Sequence, residues 1–250
     1  MAQEISVDPS MLRYLTGEQN VRAHPNENYA REIMELFCLG VRGDDGRPPY
    51  TEDDVVAAAR AFSGWVIVGA DQVTPDPSAI HGEFQADRFS TGTKVLFGQR
   101  GNWDDRGALA LILARPQHPR FLLRKLWHEF IVAEPPARTL DDLVRTYRST
   151  GTRLRPVLRK ILTHRLLFES LDEPNMVKPP VVFAVGALRA LGAGITDRRP
   201  FDYLDQMGQL PYFPPNVSGW EYGLPWLNTN TALARFGFVA DLLGDHEPVA

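Results

Sequence analysis

Three features of this sequence predict an all-α fold of about nine helices, interrupted by an irregular or small β-hairpin insertion near 66–101. Apolar residues recur at helical spacing through most of the chain. Start and stop signals, such as Asn26, Thr51, Gly40 and Gly192, stand at the ends of those segments. Between Val66 and about Gly101 the helical period disappears, and Gly, Pro, Asp and Thr punctuate short apolar runs.

Taken in order, Asp8-Pro9-Ser10 introduces a brief helix carrying Met11, Leu12, Tyr14 and Leu15. The stretch 26–40 then forms a clean amphipathic helix. At about 100° per residue Glu27, Asn28, Arg31, Glu32 and Glu35 share one arc, and Tyr29, Ala30, Ile33, Met34, Leu36 and Phe37 fill the other. Asn26 caps it or Pro25 occupies its first turn, and Gly40 stops it with positive φ. After a turn at 44–49, Thr51 caps a second helix whose first turn, Glu52-Asp53-Asp54, is acidic as the helix dipole favours. Its stripe is Val55, Ala58, Ala59 and Phe62, and it ends at Gly64 before Trp65. Within the insertion, Glu83–Phe89 and Lys94–Phe97 are placed to pair across 90–93. Helices resume at Asp105–Ala114 and Pro119–Val132, then at Leu140–Ser149 behind Thr139 and at Arg155–Thr163. Pro180–Leu191 is apolar on almost every side and is expected to be the central buried helix, closed by Gly192. Phe201–Gly208 and Thr229–Leu243 complete a single helical domain over 1–250, with no internal repeat and no linker poor in apolar residues.

Composition bounds the function. With 44% hydrophobic and 23% charged residues the chain is ordinarily globular, and a net charge of −4 argues against broad nucleic-acid binding. A basic cluster at Arg153, Arg155, Arg159, Lys160 and Arg165 is interleaved with Leu154, Val157, Leu158, Ile161 and Leu162, which reads as the wet face of a helix. The single cysteine, Cys38, excludes an internal disulfide and a cysteine zinc cage, and its helical setting suits an apolar filler. No apolar run is long enough to span a membrane, and the N-terminus carries no export signal. The six histidines are scattered and no phosphate loop, nucleophile elbow or His-Glu-x-x-His is present, so no metal or cofactor is expected.

Two groups remain as candidate sites. The polar arc of Asn26, Glu27, Asn28, Arg31, Glu32 and Glu35 is either a solvated ladder of ion pairs, each contributing about 0.3–0.5 kcal/mol, or an oxygen-rich pocket for a sugar, a peptide or a hard cation. The second group is a loop platform of Trp65, Asn216, Trp220, Trp226 and Asn228. Its segment 210–228 is too rich in proline to be helical and too apolar to be a tether, so it packs as a plug or serves as a stacking platform. Two functional classes follow: a binding or assembly module, and a hydrolase using two of Glu27, Glu32 and Glu35 as acid and base. Glycoside chemistry needs carboxyls flanking a bond some ~5–9.5 Å apart, and carboxyls on one helix face point the same way, which counts against the enzyme.

The stretches Asn26-Glu27-Asn28-Tyr29-Ala30-Arg31-Glu32 with Glu35-Leu36-Phe37 and Gly40, and Tyr50–Val55 leading to Ala61-Phe62-Ser63-Gly64-Trp65, resemble the signature of the family called domain of unknown function 1800. So do Phe121-Leu122 with Lys125-Leu126-Trp127, Pro214–Trp220, and Trp226–Thr231 followed by Arg235-Phe236. The resemblance implies a mostly helical bacterial protein of a commonly exported family, and it carries over no catalytic residue. Family members tend to have a His-Asp pair where this chain has Phe89-Ser90, and they are usually longer at the N-terminal side. As it stands, then, the chain corresponds to the C-terminal half of such a protein and would stay cytoplasmic. Self-association, or a partner chain supplying the other half, is expected to cover its apolar face.

Overall fold

Asn26 starts the first long helix as its sequence demands: its backbone is extended and its side-chain oxygen accepts the Tyr29 N–H at 3.1 Å. The computed structural model describes residues 2–70, 76–169, 176–221 and 223–244. They fall into two units, Met1–Leu167 and Phe168–Ala250.

The first unit begins with two short helices, α1 (Ala2–Ser6) and α2 (Pro9–Tyr14), and then α3 (Glu27–Glu32). A uniform α-helix to Gly40 was the expectation, but Ile33–Leu39 is wound as a π-helix that continues α3 without a break. Helix ends leave backbone carbonyls without intrahelical donors. Here α6 (Gln117–His128) supplies them. Lys125 Nζ donates to the Leu36 carbonyl at 3.2 Å, and His118 Nδ1 lies 3.0 Å from the Cys38 carbonyl. Burial holds the His118 pKa below its ordinary value, so the neutral ring donates from Nδ1. Gly40 ends the segment at φ 83°, and a Cβ there would lie 2.9 Å from the Phe121 ring, so both conformation and space call for glycine.

Helix α4 (Glu52–Ala61) packs on α3 and starts with a full capping box: Thr51 Oγ1 accepts the Asp54 N–H and Asp54 accepts the Thr51 N–H. Together with α5 (Asp105–Ala114) these helices enclose Leu12, Tyr29, Met34, Val55, Ala58, Phe62, Leu96 and Ile112. The Tyr29 ring meets Phe62 edge-on at 5.7 Å, and its hydroxyl donates to the Ser6 carbonyl. Asn20, fully buried, bonds the Ala59 carbonyl and the Asn26 N–H, tying the loop before α3 to α4.

The insertion is two antiparallel hairpins: β1 (Trp65–Val68) with β2 (His81–Phe84), Trp65 opposite Phe84, and β3 (Lys94–Leu96) with β4 (Gln99–Gly101), Lys94 opposite Gly101. The pairing of 83–89 with 94–97 does not occur. Residues Ala86–Arg88 curl into a 3-10 turn that ends the first run. Phe97 and Gly98, at φ 50° and 75°, close a two-residue turn that lets β3 pair with β4 instead.

Helices α6, α7 (Ala137–Ser149) and α8 (Leu154–Leu162) surround Trp127 with Leu123, Leu140, Leu143, Val157 and Ile161. Helix α7 starts at Ala137, ahead of Thr139. Arg153, Arg155, Arg159, Lys160 and Arg165 are exposed, as expected of a wet face.

In the second unit α9 (Pro180–Leu191), α10 (Arg199–Gln206) and α11 (Thr229–Gly244) close on Ala184, Leu188, Leu204, Met207, Ala234 and Phe238. Helix α9 is capped by Gly192 in the left-handed conformation. It is not a central buried helix: only Pro180, Ala184 and Leu188 are buried, a single stripe of three residues spaced four apart, while Val182 is 55% exposed. Within this unit it has α10 and α11 to cover it, which shields one stripe and not a full circumference. The chain as a whole is mainly helical, with strands confined, among the described residues, to the two hairpins, and no described helix is long and apolar enough to cross a membrane.

Candidate functional site

The polar arc resolves into residues with separate duties. Asn26 is the helix cap, and its amide also bonds Thr16. Glu27 and Asn28 are exposed. Arg31 makes a bidentate ion pair with Glu52, 2.9 and 2.6 Å, across to the first turn of α4. That places its partner on a neighbouring helix, away from the Glu27–Arg31–Glu35 ladder. Glu35 accepts the Tyr50 hydroxyl at 2.9 Å. Burial first, and then this carboxylate, hold the Tyr50 phenol above its ordinary pKa. Glu32 is half-buried, and its pKa is raised by burial and by the charge of Glu35 against the opposing pull of Arg31. The arc is thus an acidic cluster, Glu32, Glu35, Glu52 and Tyr50 about one arginine, in which burial raises the proton affinity of Glu32 and the hydrogen bond from Arg31 lowers that of Glu52. Among the described residues no group of His, Cys, Asp and Glu is arranged to hold a metal ion. Cys38 is buried and its thiol is pushed up to about 12, which leaves it an apolar filler.

Tyr50 also belongs to the wall of a pocket of about 670 Å³ formed by the 48–51 loop, α4 and the β3–β4 turn. Its charged lining is Asp53, Asp54, Arg60 and Arg115. Asp54 is fully engaged, with Thr51 on one oxygen and the Phe97 N–H at 2.6 Å on the other. Arg115 stacks over the Phe97 ring, 4.7 Å from its centroid. Arg60, Phe97 and Arg115 are far apart in the sequence and no motif joins them there. The Phe97-Gly98 pair after an apolar strand was the available signal, since it marks a turn with positive φ.

Of the loop platform, Trp65 lies on β1 in the first unit, its ring 5.7 Å from Phe84 and its buried indole N–H without a partner. The other four lie in the second unit and mostly build the loop itself. Asn216 Oδ1 accepts the Ser218 N–H at 2.8 Å. Trp220 is half-buried. Trp226 is buried, and its carbonyl accepts the Thr231 hydroxyl at 3.0 Å. Asn228 and Thr231 cap α11 reciprocally, at 3.0 and 2.9 Å. Among the described residues of this framework, the rings displayed are two others: Tyr212, 94% exposed at φ 69°, and Phe213, 71% exposed.

These features define a mainly helical chain carrying a half-buried acidic cluster beside a charged pocket. The chain belongs to the family described as Protein of unknown function (DUF1800), whose model matches residues 1–248, essentially its whole length. No curated protein and no solved structure matches it.

Proposed function

We propose that the protein is a binding or assembly module of the cell-envelope type, with the 210–228 loop as its recognition surface. The observation that carries this reading is Tyr212, a bulky residue held at φ 69° with its ring in water. The left-handed conformation costs an L-residue about 1–2 kcal/mol, and such strain gathers at ligand-contacting positions. Phe213 stands exposed next to it, while Asn216, Trp226 and the Asn228–Thr231 cap fix the base of the loop. Aromatic side chains have only two rotatable bonds and so lose little entropy when they bind, and their faces suit a sugar or a peptide. Co-sedimentation with isolated cell-wall polymer tests the reading. Tyr212→Gly relieves the strain, so thermal stability holds or rises, and retention on the polymer is expected to fall at least tenfold. Unchanged retention overturns the proposal.

The hydrolase reading draws its support from Glu32, a carboxyl with raised proton affinity beside the Glu35 carboxylate. Glu32→Gln discriminates: an enzyme loses turnover on a carbohydrate or peptide polymer with its melting temperature intact, whereas a structural cluster loses melting temperature. Exposed Val182, Leu233 and Phe236 support self-association or a partner chain. A monodisperse monomer in light scattering, with no dye-detectable apolar surface, removes that part of the proposal.

A further inference from the structure

We propose that the pocket between α4 and the β3–β4 turn is a binding site for an acidic sugar, its carboxylate held at Arg115 and Arg60 and its hydroxyls at Asp53. The residues are distinct from those of the 210–228 loop, so the two proposals stand or fall separately.

Both guanidiniums are fixed in place and short of acceptors. Arg115 is clamped between the Phe97 ring and one long hydrogen bond, 3.4 Å, to the Pro49 carbonyl, and its Nε is buried with no acceptor. Arg60 meets only neutral oxygens: Ser90 Oγ at 3.2 Å, and the Thr91 and Thr93 carbonyls at 3.4 Å. Of the other half-buried arginines in the unit, Arg31, Arg120 and Arg124 each have a carboxylate partner, while Arg88 has none among the described residues. Neither pocket arginine has one among the described residues. Behind the wall, fully buried Lys94 adds a third cation, its amine 3.4 Å from the Gly92 carbonyl and from Asn102 Oδ1 and over the Phe89 ring. Phe97, which packs against Arg115, is itself held at φ 50°, a strained conformation for an aromatic residue.

The acidic residues select the kind of anion. Asp54 spends its oxygens on Thr51 and Phe97, but it and Asp53 still oppose a multiply charged group, so a single carboxylate, planar and matched to a guanidinium fork, fits better than a phosphate. Asp53 is exposed and has no partner among the described residues, which suits a ligand that brings hydroxyl donors. The Tyr50 oxygen, whose proton goes to Glu35, is free to accept another. Val56 and Val95 offer apolar surface to the C–H faces of a sugar ring, and the volume is within the range of small-molecule sites.

The experiment is calorimetric titration of the full chain with trigalacturonate, with neutral galactotriose and glycerol 3-phosphate as the comparison ligands. Trigalacturonate is expected to bind and galactotriose to bind at least tenfold more weakly. Arg115→Met should weaken trigalacturonate at least tenfold. Val95→Asp, at a position 50% exposed on the pocket wall, brings in a repelling carboxylate and should do the same without changing the melting temperature. Tyr212→Gly should leave the titration unchanged. Absence of trigalacturonate binding, equal binding of galactotriose, tighter binding of glycerol 3-phosphate, or indifference to Val95→Asp overturns the assignment.

Discussion

Lys94 offers a direct test of how burial and charge combine in the first unit. Its side chain is fully buried and its amine has no carboxylate within ion-pair distance among the described residues. Burial, reinforced by Arg60 and opposed by Asp104, lowers its pKa from 10.5 to about 8. A fall of that size corresponds to about 3–4 kcal/mol of destabilisation by the charged form before any screening. Residual solvent screening reduces this to about 1–2 kcal/mol. The sign follows from proton counting. Below pH 8 both folded and unfolded chains hold the proton and the penalty is fully present. Between pH 8 and 10.5 the unfolded chain holds more protons, so stability rises with pH and the penalty is relieved. Lys94→Met keeps the unbranched stem, one atom shorter, and removes the charge. After the loss of two long hydrogen bonds, the variant should be about 1 kcal/mol more stable at pH 7, a shift of about 2–4 °C for a chain of this size. Urea denaturation from pH 6 to 10 reads both proteins. The Cys38 thiol and the buried tyrosines, whose raised pKa values make stability fall at alkaline pH, are common to both and cancel in the difference. A variant destabilised at pH 7, or a difference that stays flat between pH 8 and 10, refutes the reasoning.

Four further outcomes are expected. Leu123→Ala opens a cavity beside Trp127 and should cost about 2–5 kcal/mol in denaturant unfolding. Asn20→Ala removes two bonds at the junction of α3 and α4 and should cost about 2–4 kcal/mol, with amide exchange accelerating first at Asn26 and its neighbours. His118→Asn keeps a donor for the Cys38 carbonyl but cannot titrate. Because burial lowers the His118 pKa below 6.5, the wild type should lose stability relative to the variant as pH falls below that value, and parallel acid profiles would contradict this. Gly82→Ala would put a Cβ 2.2 Å from the Val7 carbonyl, so the β1–β2 hairpin must shift and the melting temperature should drop by several degrees, a backbone clash that no rotamer change relieves.

Features governed by neighbouring residues were legible in the sequence. Asn26 and Thr51 cap their helices, and Gly40 and Gly192 end theirs with positive φ, because capping is settled within a few residues. The π winding of 33–39 was not legible. Its inward residues satisfy an α period as well, and the groups that hold its carbonyls, His118 and Lys125, lie 80 and 89 residues away. Helix α9 misled for a related reason: an all-apolar helix is buried only to the extent that partners surround it, and periodicity says nothing of how many there are. The site divides the same way. Glu32 and Glu35 stood out on one helix, but their chemistry is set by Tyr50 and Arg31 with Glu52, and Arg60 and Arg115 enter the picture only when the β3–β4 turn folds over them.

The wide coil at 33–39 makes this part of the chain intolerant of length changes in a way that ordinary helices are not. With an extra residue in each hydrogen-bonded ring, it delivers Leu36, Cys38 and Gly40 to α6 at an offset that a regular α-helix would miss. Dropping one residue here would let the coil tighten, and the backbone would gain regularity. Yet His118, Phe121 and Lys125 would lose their seats together. Indels in this stretch should therefore behave as all-or-none events.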